Sequence, residues 1–191
     1  MNATFLGAKH MYYSMMRYCV YYFMKVLPQT RCYPLKAMLL RACGYNVHPT
    51  CRIISSAEVL GAFELTIGAR TFVSHDVLIT GGPCHIDIGA DVAIGPRVSI
   101  IAGSHEWDMV GPRTAGKDIS NDITIEDGAA ICANTTILGG VRIGRKALIG
   151  AGSVVRRDVP AYAVAEGSPC RCKVQWNEVQ KRWQPWRAAG V

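Results

Sequence analysis

Residues 125–160 read IEDGAA ICANTT ILGGVR IGRKAL IGAGSV VRRDVP. Cut in this phase, every block of six opens on an aliphatic residue: Ile125, Ile131, Ile137, Ile143, Ile149 and Val155. The fifth place is always small or β-branched: Ala129, Thr135, Val141, Ala147, Ser153 and Val159. A period of six is neither the 3.6 of an amphipathic helix nor the 2 of an alternating strand. It fits a parallel β-helix, in which each block forms one side of a coil and three blocks close it. Stacked coils would hydrogen-bond about 4.8 Å apart. The aliphatic column would fill the narrow interior, with Gly144 and Gly150 at the bends.

The same column can be followed back toward the N-terminus. Val47, Ile53 and Val59 are six apart; the phase then slips by two to Ile67, Val73 and Ile79. It slips by three to Ile88, Ile94 and Ile100, with the insertion falling within Gly81 to His85. Each slip comes after three blocks, so a bulge is expected at a corner once per coil. About five coils result, a short prism in which no coil buries its inner face alone.

The phase is lost between Ile100 and Ile125, where the chain reads IIAGSHEWDMVGPRTAGKDISNDIT. With Gly103, Gly111, Pro112 and Gly116 and many charges, this segment cannot extend the aliphatic column and is expected to leave it as an exposed loop, 106–122. Long excursions from a rigid scaffold often carry binding and catalytic groups. His105 stands at the departure point, and histidine is the usual general base near neutral pH. Asp87, Asp91, Glu106, Asp108, Asp118 and Asp122 are all candidates to orient it, and spacing does not choose among them. The loop residues Glu106, Trp107, Asp108 and Arg113 are candidates to contact a substrate.

The flanks differ from the repeat. Residues 1–46 form a helical segment: a first helix rich in Tyr, Met and Phe from His10 to Leu27, ended by Pro28, then a second from about Pro34 to Cys43. In the second, Leu35, Met38, Leu39 and Leu40 form the expected apolar stripe. The longest uncharged run of the first, Tyr18 to Met24, is far too short for the roughly 20 residues that span a bilayer. These helices are expected to cap the prism or pad a subunit contact, with peripheral contact to a membrane surface as the alternative. The segment 167–191 holds Trp176, Trp183 and Trp186 among Lys173, Lys181, Arg182 and Arg187, and is expected to fold back as a helical cap over the last coil.

The chain of 191 residues carries a formal net charge of +7, which favours anionic ligands. No nucleic-acid motif accompanies that charge, so no nucleic-acid partner is expected. The eight cysteines contain no CxxC pair, and no cleavable leader is visible. They read as reduced thiols of a cytoplasmic protein. No metal site is expected.

From about Thr66 to Val174 the chain resembles the hexapeptide-repeat acyltransferases, in particular the galactoside, maltose and surface-polysaccharide O-acetyltransferases. The resemblance rests on the repeats, AGSH at 102–105 with the loop after it, IGAGSVVRRDVP at 149–160 and GSPCR at 167–171. It implies a mainly β fold, a left-handed parallel β-helix spanning 47–166. It also implies a homotrimer with acetyl-CoA held between adjacent prisms, and direct acetyl transfer to a hydroxyl with His105 as general base. For the cofactor it points to main-chain groups at Ala133 and Ala151 and to Arg156, Arg157 and Arg171 near the phosphates. His75 falls where sugar acetyltransferases have an asparagine that meets the acceptor. Ala130 replaces a common tryptophan, and Gly139-Gly140 a common Pro-Gly. The acceptor implied is a cell-surface saccharide or its precursor. A small free acceptor (sugar, amino acid or antibiotic) and a non-catalytic assembly module remain open readings.

Overall fold

The computed structural model describes residues 3–186, with side chains from Met15 to Trp186. Two helices come first, α1 (Ala3–Val26) and α2 (Tyr33–Ala42). The first coil follows as β1 (Asn46–Val47), β2 (Arg52–Ile53) and β3 (Glu58–Gly61). The second is β4 (Glu64–Ile67), β5 (Phe72–Val73) and β6 (Leu78–Gly81), and the third β7 (His85–Ile88), β8 (Ala93–Ile94) and β9 (Ser99–Ile101). The chain then makes an excursion, β10 (Gly103–Trp107) and β11 (Ala115–Ser120). It returns for a fourth coil, β12 (Ile123–Ile125), β13 (Ala130–Ile131) and β14 (Thr136–Leu138), and a fifth, β15 (Arg142–Ile143), β16 (Leu148–Ile149) and β17 (Val154–Val155). The C-terminal strands are β18 (Ala163–Glu166), β19 (Arg171–Asn177) and β20 (Arg182–Pro185).

The three strands of each coil belong to three different sheets, which are the faces of a left-handed parallel β-helix. Here they are called faces A, B and C, in the order the chain meets them. The predicted column is the ladder register. On face A, Val47, Ile67, Ile88, Ile125 and Ile143 are successive partners. On face B the partners are Ile53, Val73, Ile94, Ile131 and Ile149, and on face C Val59, Ile79, Ile100, Ile137 and Val155. All are buried except Val59, which is half-buried beneath α1. Fully burying each such side chain is worth about 1.5–3 kcal/mol, so the column supplies most of the cohesion. The small fifth residues are buried at the corners, where the hydroxyls of Thr135 and Ser153 both donate to the Gly150 carbonyl.

Tight corners follow from single residues of positive φ, among them Asp76, Asp91, Arg97, Asn134 and Lys146. Gly144 serves a different need from the bend expected of it. A Cβ there would lie 2.3 Å from the Ala161 nitrogen, so glycine permits close stacking of one coil on the next.

Outward-facing residues differ sharply between faces. Face A presents Asn46, Thr66, Asp87, Thr124 and Arg142, a polar row. Face B presents Phe72, Ala93, Ala130, Leu148 and Val164, an apolar row headed by Arg52.

Both ends of the prism are closed. At the N-terminal end α1 lies across the first coil, where Arg17 donates to the carbonyls of Cys43 and Gly61. Lys25 and Tyr21 both donate to Glu58 Oε1, at 2.7 and 2.8 Å. The side chains of Tyr12 and Tyr13 lie outside the described residues. In α2 the buried residues are Lys36, Ala37 and Leu40, whereas Met38, expected in the apolar stripe, is half exposed. The Lys36 ammonium donates to the carbonyls of Pro28 and Gln29, tying down the link between the helices, and burial lowers its pKa. At the other end the expected helical cap is a pair of antiparallel strands. β19 pairs with β18 and β20 with β19, so face B runs on past the last coil and reverses direction. Alternation decides this: Trp176 and Trp183 are cross-strand partners with ring centroids 5.4 Å apart. Arg187 lies outside the described residues.

Candidate active site

The excursion between the third and fourth coils is an antiparallel hairpin, longer by a few residues at its start than the expected loop. Its base is wedged between glycines. Gly82 N–H donates to Ser120 Oγ from the coil below. From the coil above, a Cβ on Gly139 would lie 2.7 Å from the Ala102 carbonyl oxygen. That room explains why Gly-Gly stands at 139–140. Asn121 N–H closes the base by donating to the Ala102 carbonyl at 3.0 Å.

His105 sits on β10, directly opposite Asp118 on β11. Nδ1 of His105 and Oδ1 of Asp118 are 2.9 Å apart, with side chains 52% and 90% exposed. When the carboxylate accepts from Nδ1–H, the Nε2 lone pair is left free, the tautomer a general base needs. The other candidate carboxylates have other work. Asp91 pairs with Arg70, and Asp122 accepts from the His85 backbone N–H. Asp108 accepts from the backbone N–H groups of Gly111 and Val110, which hold its pKa below the ordinary carboxylate value and shape the hairpin tip. Asp87 is exposed on face A between Thr66 and Thr124. Glu106 points into solvent beside His105.

Around the tip, Trp107, Met109 and Val110 are almost fully exposed, and Arg113 is exposed beside them. An apolar tip of this kind stands ready to meet another surface.

Four further residues form one line along the corner between faces B and C. The Arg97 N–H donates to the His75 carbonyl, Asn134 N–H to Pro96, and Gly152 N–H to Ala133. The strand registers carry His75, Pro96, Ala133 and Ala151 into a single column, one per coil. His75 and Ala151 are exposed there and Ala133 half-buried. This column and His105 lie at opposite edges of face C, so within one chain His75 and His105 are not brought together. Arg156 and Arg157 follow β17 and leave face C at the His105 edge, two coils further on. Arg171 opens β19, exposed, its guanidinium donating to the Cys170 carbonyl. Burial, ahead of the nearby Cys172, pushes the Cys170 thiol pKa up, away from the thiolate a nucleophile needs. All eight cysteines are free, and the described residues contain no cluster able to hold a metal ion.

Asp118 is the residue that spacing alone did not single out. Its signal is the antiparallel register, which depends on a bulge between His105 and Trp107.

Residues 122–157 match the family model described as bacterial transferase hexapeptide (six repeats). Over 95 residues, 49% of this chain and 44% of the relative, the sequence is 38% identical to a galactoside O-acetyltransferase of Lactococcus lactis. Over 86 residues, 45% of this chain and 34% of the relative, it is 40% identical to a 2,3,4,5-tetrahydropyridine-2,6-dicarboxylate N-acetyltransferase of Staphylococcus aureus. The chain thus spans half or less of the length of these two relatives. Among solved structures, a hexapeptide-repeat acetyltransferase of Vibrio cholerae complexed with acetyl coenzyme A superimposes with a TM-score of 0.73 and 26% identity. That match covers 90% of this chain and 91% of the other.

Proposed function

We propose that this chain, a hexapeptide-repeat protein built like the acetyltransferases of that family, moves an acetyl group from acetyl-CoA to a hydroxyl of a saccharide. The observation that carries the reading is the His105–Asp118 pair on a hairpin extruded from the prism. A silent assembly module has no need of an oriented histidine, and the half-exposed ring is open to an incoming substrate.

In this reading Asp118 holds the imidazole by Nδ1, and Nε2 removes the acceptor hydroxyl proton as its oxygen attacks the thioester carbonyl. The C–S bond then breaks, and the thiolate of CoA takes the proton back from Nε2. Proximity does much of the work, since both substrates must lie within reach of one ring. Ala133 and Ala151 leave room along their corner for the pantetheine arm, and Arg156, Arg157 and Arg171 supply positive charge for the phosphates.

A filled prism has no interior site, so the substrates bind outside it, and the two halves of the site lie at opposite edges of face C. Pairing the His105 edge of one copy with the His75, Ala133 and Ala151 corner of another unites them around a threefold axis. The apolar outer row of face B and the exposed hairpin tip support such a trimer, with polar face A toward solvent. The acceptor is a cell-surface saccharide or its precursor, met in the cytoplasm, with His75, Glu106, Trp107, Asp108 and Arg113 around it. The named galactoside relative supports a sugar acceptor. CoA release, measured over panels of glycans, free sugars and small amines with wild type and His105→Ala, tests the reading. Turnover of a saccharide that vanishes in the variant supports it. Release that is insensitive to His105, or confined to amines, overturns the mechanism or the acceptor class.

A further inference from the structure

The chain's positive charge is not spread evenly. Of its 21 lysines and arginines, seven fall before Glu58, the first acidic residue, which leaves 14 to balance the 14 acidic residues. The whole net charge of +7 therefore belongs to residues 1–57, the helical cap and the start of the first coil, and the rest of the chain is neutral.

The same cap carries an exposed aromatic stripe. On α1, Arg17, Val20, Tyr21 and Met24 face the prism, at helical spacings of three and four. The other side carries Met15, Tyr18, Tyr22 and Val26, again three and four apart, with Phe23 beside them, and each is about half exposed or more. Met38 of α2 is a further exposed apolar group of the cap, and Arg31 in the link between the helices is exposed as well. Among the described residues no helix is long and apolar enough to cross a membrane.

We propose that the cap is a docking surface for an anionic lipid bilayer, with α1 lying in the headgroup layer on its Met15–Tyr18–Tyr22–Val26 stripe. Tyrosine suits this depth, because its ring is apolar and its hydroxyl is wet. Exposed basic residues such as Arg31 are drawn to the negative surface of the leaflet. Charge decides against a second copy of the chain as the occupant, since a homotypic contact would set one positively charged cap against another. Docking would hold the prism against the surface where lipid-linked acceptors lie, but it stands independently of the acetyl-transfer reading.

The test is co-sedimentation with vesicles of phosphatidylcholine alone and of phosphatidylcholine with phosphatidylglycerol. Wild type should bind the anionic vesicles at least about tenfold more tightly, with added salt weakening the binding. Arg31→Gln should weaken it about fivefold, corresponding to about 1 kcal/mol per basic residue at such a surface. Tyr18→Gln/Tyr22→Gln/Phe23→Gln, checked for helix content, should abolish it. Failure to bind anionic vesicles, or equal binding to both kinds, overturns the proposal. So does a triple variant whose oligomeric state changes without lipid, because the stripe would then be a contact between copies.

Discussion

His105 and Asp118 meet twice: their backbones are paired across the hairpin, and their side chains touch at 2.9 Å. The ladder thus fixes the position of the carboxylate, and the carboxylate fixes the ring. His105→Ala should lower kcat by about 100- to 10,000-fold while acetyl-CoA still binds. Asp118→Asn should cost less, all of it in kcat. Steady-state kinetics would show otherwise if the loss appeared only as a raised KM.

The hairpin tip can be removed without touching that pair. Deleting Asp108–Arg113 and closing the gap with Asn-Gly leaves His105 opposite Asp118. The acceptor KM should rise, with CoA affinity by calorimetry unchanged. Unaltered acceptor kinetics in a folded protein would release Asp108–Arg113 from the acceptor site.

Arg171 offers a test of where the phosphates lie. Arg171→Ala removes charge-assisted bonds of about 1.5–3 kcal/mol, which is about 10- to 150-fold in affinity. The loss should be larger for CoA than for dephospho-CoA when the guanidinium meets the 3′-phosphate. Equal weakening of the two would move that phosphate elsewhere.

Acid should loosen the N-terminal cap before the prism. The bond from Lys25, and after it that from Tyr21, hold the Glu58 carboxyl below its ordinary pKa of 4.5. A depressed carboxyl stabilises the fold above its unfolded pKa and loses that contribution as pH falls through the folded value. At neutral pH the latch is intact; it opens as pH falls below the ordinary carboxylate value and through the depressed one. Hydrogen exchange in α1 should rise there while the coils remain protected, and Glu58→Gln should bring the same opening to neutral pH.

The interior should be unforgiving. Ile137 is fully buried between Ile100 and Val155, and Ile137→Ala should cost about 2–5 kcal/mol in denaturant unfolding. A cost below 1 kcal/mol would mean that the coils collapse around the cavity.

The prism was legible because its period is its register: residues six apart fall on successive faces, residues one coil apart become ladder partners, and every expected column residue from Val47 to Val155 entered a ladder. The excursion announced itself only by breaking the period. Nothing in GPRT marks a hairpin strongly, so the pairing that selects Asp118 could not be read from spacing. At the C-terminus the alternation of Val174, Gln175 and Trp176 was the available signal for a strand. A turn follows it, in which Asn177 Oδ1 accepts from the N–H groups of Val179 and Gln180. In α2, counting apolar residues favoured Met38, but Lys36 won the buried side because two carbonyls waited for its ammonium.

β9, β14 and β17 are neighbours on face C, and the chain leaves the first toward His105 and the last toward Arg156 at one common edge. Two strand spacings, about 10 Å, separate those departures. The prism therefore works as a ruler graduated in coils. Any ligand spanning from the histidine to the arginines is measured against it, and the span can be lengthened or shortened only by whole graduations, never by the fraction that a flexible loop would allow.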